Sequence, residues 1–334
     1  MSDSDKVVII AEIGSTHDGS FGNAKCLIDV AAECGVDAVK FQTHIAEAET
    51  LPNAPMPPYF KEEPRFEYFN RTAFSKKQWV QLKKHAENPG LLFLSSPFSI
   101  EAIHLLEEID IQQYKIPSGE VTNLPLIEEI AKTGKPVLLS SGMSSWDELD
   151  RAINLILNYH NHLTLMQCTS EYPCPYTRVG LNVMLEMRNR YNLPVGLSDH
   201  TLSNYASFAA VTLGAQVIER HFAFSRRMYG SDAKHSLEPQ ELKELVCGVR
   251  AIETILSSAV NKSDVSSVQD MKKMFEKSIV PLIDLSSGTV LKKEMLGTRR
   301  PGNGISPTRL DEVIGKRIKK DLKAFSILRD DDFS

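Results

Sequence analysis

The 334-residue sequence contains no apolar run approaching the roughly 18 to 20 residues that a membrane-spanning helix requires. Its opening segment, Met1 to Lys6, is polar and no signal-peptide core follows, so a soluble cytoplasmic protein is expected, with no membrane partner. Cysteine is scarce. Five residues (Cys26, Cys34, Cys168, Cys174 and Cys247) in no paired spacing make no disulfide framework, and an odd count suits a reducing compartment. Basic character is lacking too: the net charge is −5 and no basic stripe occurs outside 316–323, which argues against nucleic acid as a partner. No Gly-rich dinucleotide fingerprint follows the first apolar run, and no internal repeat is evident.

What the chain does have is rhythm. Eight short apolar runs, at 7–14, 38–44, 91–98, 113–120, 136–143, 163–170, 194–200 and 217–222, alternate with segments of helical period such as 24–34, 75–88, 124–133, 146–160, 179–191 and 203–213. Runs rich in Val, Ile and Leu suit parallel strands buried on both faces, each followed by a helix that crosses over outside the sheet. Eight such units fill the roughly 250 residues of a closed (β/α)8 TIM barrel. An open doubly wound sheet is the alternative. Each run ends in polar residues: Glu12; Lys40 and Gln42; Ser95 and Ser96; Lys115, Ser118 and Glu120; Ser140 and Ser141; Thr169 and Ser170; Ser198 to His200; Glu219 and His221. Polarity confined to the C-terminal strand ends marks the catalytic face of a barrel.

Two stretches break the rhythm. Residues 47–73 show no sustained period and carry Pro52, Pro55, Pro57, Pro58 and Pro64, with Tyr59, Phe60, Phe66, Tyr68 and Phe69 among charges. A loop that long, leaving the active rim, reads as a lid or a partner-contact arm. After a helix near 239–257, a polar stretch precedes a small domain with β-like pieces at 278–283 and 314–318. The expected organisation is a barrel over 1–258, a linker over 259–274 and a small domain over 275–334.

His200 and His221 end the last two strands of the barrel, and neutral imidazole is a common ligand for divalent metals. Each stands beside a carboxylate, Asp199 and Glu219. No His-x-His marks the early strands, as a hydrolytic metal barrel would show. Lys40 and Lys115 instead offer two fixed positive charges, with Ser95, Ser118, Ser140 and Ser198 as hydroxyl donors, a set suited to a small doubly anionic substrate such as a phosphorylated carboxylate. Cys168 has no adjacent base in the sequence and reads as a small core residue.

The motifs Glu12-Ile13-Gly14 with His17-Asp18-Gly19, Phe41-Gln42-Thr43-His44, Lys115 to Glu120, Ser140 to Met143, Cys168 to Pro173, Gly196 to Thr201 and Glu219 to Phe222 resemble those of the sialic acid synthase family. Arg300 to Ile305 and Val313 to Lys316 resemble its C-terminal antifreeze-like (SAF) domain, so the likeness runs through nearly the whole chain. The resemblance implies a metal-dependent condensation of phosphoenolpyruvate with N-acetylmannosamine and water, giving N-acetylneuraminate and phosphate. It implies Mn2+, or Mg2+ or Co2+, on His200 and His221. Lys40, Lys115, Ser118, Ser140, Ser170 and Ser198 would hold phosphoenolpyruvate, Glu120 would handle the water, and Glu12, Gln42, Tyr172 and Asp232 would contact the sugar. Glu219 is expected to pair with a lysine. The resemblance further implies a domain-swapped homodimer in which Arg300 acts in trans. Thr16, and Ala233 with His235 displaced, depart from the family pattern on the sugar side. Other acceptors fit the same chemistry: the 2,4-diacetamido-trideoxy hexoses of legionaminic or pseudaminic acid synthesis, or N-acetylmannosamine 6-phosphate. A sugar-binding protein without turnover is the non-enzymatic alternative.

Overall fold

Parallel strands close into a barrel, in the order β1 to β8, in the computed structural model, which describes residues 6–55, 60 and 62–333. The polar opening residues before Lys6, and Pro57, Pro58 and Tyr59 of the long loop, lie outside the described residues. The strands are β1 (Val8–Gly14), β2 (Ala38–Thr43), β3 (Leu92–Pro97), β4 (Tyr114–Ile116), β5 (Val137–Ser140), β6 (Leu163–Cys168), β7 (Val195–Ser198) and β8 (Val217–His221). Around them run α1 (Phe21–Cys34), α2 (Ala46–Glu49), α3 (Arg65–Thr72), α4 (Lys76–Glu87), α5 (Ile100–Glu108), α6 (Leu124–Lys132), α7 (Trp146–Leu157), α8 (Leu181–Tyr191), α9 (Tyr205–Thr212) and α10 (Pro239–Ser257). Closure between β1 and β8, with Glu12 opposite His221, rules out the open doubly wound sheet.

Strand alternation sorts every side chain to one of two surfaces. Ile9, Ala11, Ile13, Val39, Phe41, Phe93, Ile116, Leu139 and Ile218 face the helices and join the large outer core. Ile10, Ala38, Leu94, Leu138, Met166 and Val217 form a separate cluster inside the barrel. Two residues further along β1, β2, β5, β6 and β8 the same inward parity yields Glu12, Lys40, Ser140, Cys168 and Glu219. The interior therefore passes from a sealed apolar layer to a charged one toward the C-terminal ends. Gly196 belongs to the tight apolar layer, because a Cβ there would fall 2.5 Å from the Val217 carbonyl oxygen and 2.6 Å from Met166 Sδ.

Helix starts follow local capping chemistry. Ser75 and Ser145 form reciprocal capping boxes with Gln78 and Glu148, and Ser20, Ser99 and Asn123 cap α1, α5 and α6. The expected 113–120 strand is shorter: Pro117 ends the ladder and Ser118–Glu120 turns into a 3-10 helix. The 47–73 stretch, expected to lack regular structure, holds most of α2 and all of α3.

The second compact unit spans Ala259–Ser334. Its 259–274 stretch, expected as linker, contains most of α11 (Gln269–Phe275). Strands β9 (Ser278–Pro281) and β10 (Leu296–Arg299) pair antiparallel, and a small core gathers Ile279, Leu285, Leu291, Leu296, Ile305, Val313, Ile318, Leu322, Leu328 and Phe333. The 314–318 stretch, expected as β-like, makes isolated bridges instead, Arg317 to Val290 and Ile318 to Phe333. No helix among the described residues is long and apolar enough to cross a membrane.

Candidate active site

The C-terminal strand ends and their loops surround a cavity of about 430 Å³. Of the residues singled out in the sequence, Glu12, Lys40, Gln42, Lys115, Ser118, Ser140, Ser170, Tyr172, Ser198, His200, His221 and Asp232 line it. Glu120 does not. It sits just behind the wall, half-buried, with its carboxylate accepting a 2.7 Å hydrogen bond from Asn123 Nδ2. Burial, opposed by that bond, pushes its pKa upward. Arg300 belongs to the second unit, where it is exposed and its Nε donates to the Phe275 carbonyl.

The two lysines are ion-paired, as expected for Glu219, with Glu12 as the second carboxylate. Lys115 Nζ donates to both oxygens of Glu219, at 2.8 and 2.9 Å, and Lys40 Nζ lies 3.0 Å from Glu12 and 3.7 Å from Glu219. All four are sealed from solvent. Buried charge persists only when paired, so the barrel supplies the carboxylates that its lysines need. Burial alone would raise the Glu219 carboxyl; Lys115 and Lys40 outweigh it and hold Glu219 well below the usual range. Burial pushes Glu12 upward against the pull of Lys40. Ser198 Oγ also donates to Glu219, at 2.9 Å, and Lys40 Nζ donates to Ser96 at 3.3 Å.

The imidazoles of His200 and His221 lie 5.5 Å apart between ring centroids. The 2.9 Å contact between His200 Nδ1 and the Thr169 carbonyl makes Nδ1 a donor, so the neutral ring presents its lone pair on Nε2; burial, which alone would lower its pKa, is outweighed by Cys168 and the Thr169 carbonyl, which push it upward. His221 Nδ1 is buried without a hydrogen-bond partner, and burial pushes its pKa down to about 4, which keeps the ring neutral at physiological pH. A buried orphan nitrogen beside a second available imidazole fits a divalent ion held by two protein ligands. No group of three or more His, Cys, Asp or Glu among the described residues forms a fuller cage. The neighbouring carboxylates do not belong to it. Asp199 points outward to the buried Arg220, whose Nη1 donates at 2.7 Å, and Glu219 is taken by the lysines. Cys168, read as lacking a base, lies 4.0 Å from His200 Nδ1 in the cavity wall.

Toward the mouth, Gln42 Nε2 donates to Glu12 at 2.9 Å, while Gln42 Oε1 is 3.1 Å from His44 Nε2. His44 is stacked between Phe69 and Phe98, with centroids at 3.8 and 4.2 Å, and its Nδ1 contacts Glu49 at 2.8 Å. Asp232 accepts from the Ser15 amide and from Ser231 Oγ. Sequence reasoning missed Arg65, Phe98, Met143, Ser15 and Ser231 as lining residues, and placed Tyr68 and Phe69 in a loop. The signal available was His44, which closes the Phe41-Gln42-Thr43-His44 motif.

Residues 27–261 match the NeuB family and residues 276–334 the SAF domain. The chain is 38% identical over 333 residues to the N,N'-diacetyllegionaminic acid synthase of Campylobacter jejuni, covering 97% of this chain and 99% of that protein. It is 34% identical to the N-acetylneuraminate-9-phosphate synthase of Homo sapiens, over 93% of this chain and 88% of that one. Among solved structures, the sialic acid synthetase of Leptospira borgpetersenii in complex with citrate superposes with a TM-score of 0.71 at 30% identity, covering 80% of this chain and 90% of that chain.

Proposed function

Because this chain belongs to the NeuB family, built as a barrel followed by a SAF domain, we propose that it is a nonulosonic acid synthase condensing phosphoenolpyruvate with a 2,4-diacetamido-trideoxy hexose. The Campylobacter relative supports this acceptor over N-acetylmannosamine, the acceptor first expected from sequence. The observation that carries the reaction is the juxtaposition of two buried lysines with two imidazoles around one cavity.

Lys40, Lys115 and the hydroxyls of Ser118, Ser140, Ser170 and Ser198 hold the carboxylate and phosphate of phosphoenolpyruvate. As the anion enters, the lysines exchange Glu12 and Glu219 for substrate oxygens. A divalent ion on His200 and His221, Mn2+ by expectation and Mg2+ or Co2+ by chemistry, would supply Lewis acidity toward the acceptor aldehyde. Carbon 3 of the enol forms a bond to the aldehyde carbon, water adds at carbon 2, and phosphate leaves as the C–O bond of the tetrahedral adduct breaks. Glu120 is assigned the proton of that water, which requires its release from Asn123; Glu12, Gln42, Tyr172 and Asp232 orient the sugar. Arg300 completes the sugar site in trans in a domain-swapped homodimer.

Phosphate release from phosphoenolpyruvate tests the reading, with Mn2+ and the three acceptor types compared. The expected result is chelator-sensitive release with a 2,4-diacetamido acceptor at kcat/KM at least about tenfold above that with N-acetylmannosamine or its 6-phosphate. Preference for either of the latter would reassign the acceptor, and chelator-resistant turnover would remove the metal.

A further inference from the structure

Among the described residues, three Lys or Arg side chains line the cavity, and Lys40 and Lys115 are both ion-paired. Arg65, on the first turn of α3, is the exception. Among the described residues no carboxylate lies within 4.0 Å of it, and its Nε is shut off from solvent without a hydrogen-bond partner. A desolvated donor left unmade is costly unless a ligand completes it.

The surroundings say what kind of ligand. The Arg65 guanidinium lies 5.4 Å from the Phe69 ring centroid, and Phe69 is the outer leaf of the Phe69–His44–Phe98 stack. This wall offers flat apolar faces beside one sealed N–H. The acidic groups nearby are Glu49, with a buried oxygen lacking a partner, and Glu120, which feels both Glu49 and Arg65. A dianionic phosphate placed here would meet two carboxylates. A neutral planar amide meets neither objection: its carbonyl accepts from the guanidinium and its methyl rests against the rings. The element carrying Arg65 is clamped, because Arg71 of α3 donates to Glu63 at 2.7 Å and to Asp18 at 2.7 Å, and Tyr229 also donates to Glu63.

We propose that Arg65 is the acceptor-specificity residue, donating from its guanidinium to the second acetamido carbonyl of the sugar while the Phe69–His44–Phe98 wall packs its methyl. The assignment rests on the 2,4-diacetamido reading above and names where that reading is written into the cavity.

The test compares wild type with Arg65→Met and Arg65→Lys on 2,4-diacetamido acceptor, N-acetylmannosamine and its 6-phosphate, with KM for phosphoenolpyruvate measured alongside. Arg65→Met should raise KM for the diacetamido acceptor at least tenfold and cut its preference over N-acetylmannosamine by the same factor. KM for phosphoenolpyruvate should change less than twofold, and Arg65→Lys should recover only part of the loss. An unchanged acceptor preference in a wild type that does use the diacetamido sugar overturns the role of Arg65 alone. A loss confined to the 6-phosphate acceptor overturns the amide in favour of an anion. A wild type inactive on every diacetamido sugar overturns both this assignment and the acceptor it rests on.

Discussion

His17 shows how one buried side chain bears on the stability of the barrel. Its ring packs 4.5 Å from Phe74, its Nδ1 accepts from the Gly19 amide at 3.0 Å, and burial lowers its pKa from 6.5 to about 4. Between those values the unfolded chain takes up a proton that the folded barrel refuses, so stability is complete above pH 6.5 and falls as pH drops toward 4. The loss from this one group amounts to ~3 kcal/mol. Urea unfolding at pH 7.5 and pH 5 should show a smaller pH-dependent loss in His17→Gln than in wild type; equal losses would mean that His17 titrates normally. Sequence could not distinguish such a histidine from a ligand, and the same blindness explains Asp199. Adjacent to His200 in the chain, it lies on the opposite side of the strand end, where Arg220, Ser207 and the Thr201 amide consume it. Arg220 itself, 1% exposed, carried no sequence signal of its partnership.

At the scale of elements, the loop after β5 makes a sharp claim. Gly142 sits so close to the neighbouring strand ends that a Cβ would fall 2.5 Å from both Ser118 Oγ and Ser170 Oγ. Gly142→Ala should therefore displace two hydroxyls assigned to phosphoenolpyruvate and raise its KM by about tenfold or more, a loss of ~1.4 kcal/mol or more in binding. An unchanged KM would take both serines out of that role. The barrel strands were legible because their inward residues change from apolar to polar at one end, a pattern only a closed sheet with a reactive rim requires. Helix α3 was not, for a related reason: Arg65, Tyr68 and Phe69 face a cavity rather than a core, so no apolar stripe repeats along it. Strand β10 escaped because Leu296 is the buried apolar anchor in Leu-Gly-Thr-Arg, too short a pattern to read.

For the whole molecule, the barrel and the Ala259–Ser334 unit each hold their own apolar core, which lets one be tested against the other. A Lys115→Met chain has a disabled barrel and an intact Arg300; an Arg300→Ala chain has the reverse. Co-expressed and mixed, they should restore activity well above either parent under the proposed trans arrangement, in which the sound barrel of one subunit would receive Arg300 from the other. No recovery in a verified heterodimer would place Arg300 in cis or outside the site.

The lysine–glutamate lattice at the base of the cavity, two positive and two negative side chains joined in a chain of contacts from Glu12 through Lys40 and Glu219 to Lys115, bears on how the enzyme meets its surroundings. With these charges cancelled internally, the base of the cavity projects little field into water and gains little from long-range attraction, so capture of an anion is left to diffusion and local exchange of partners.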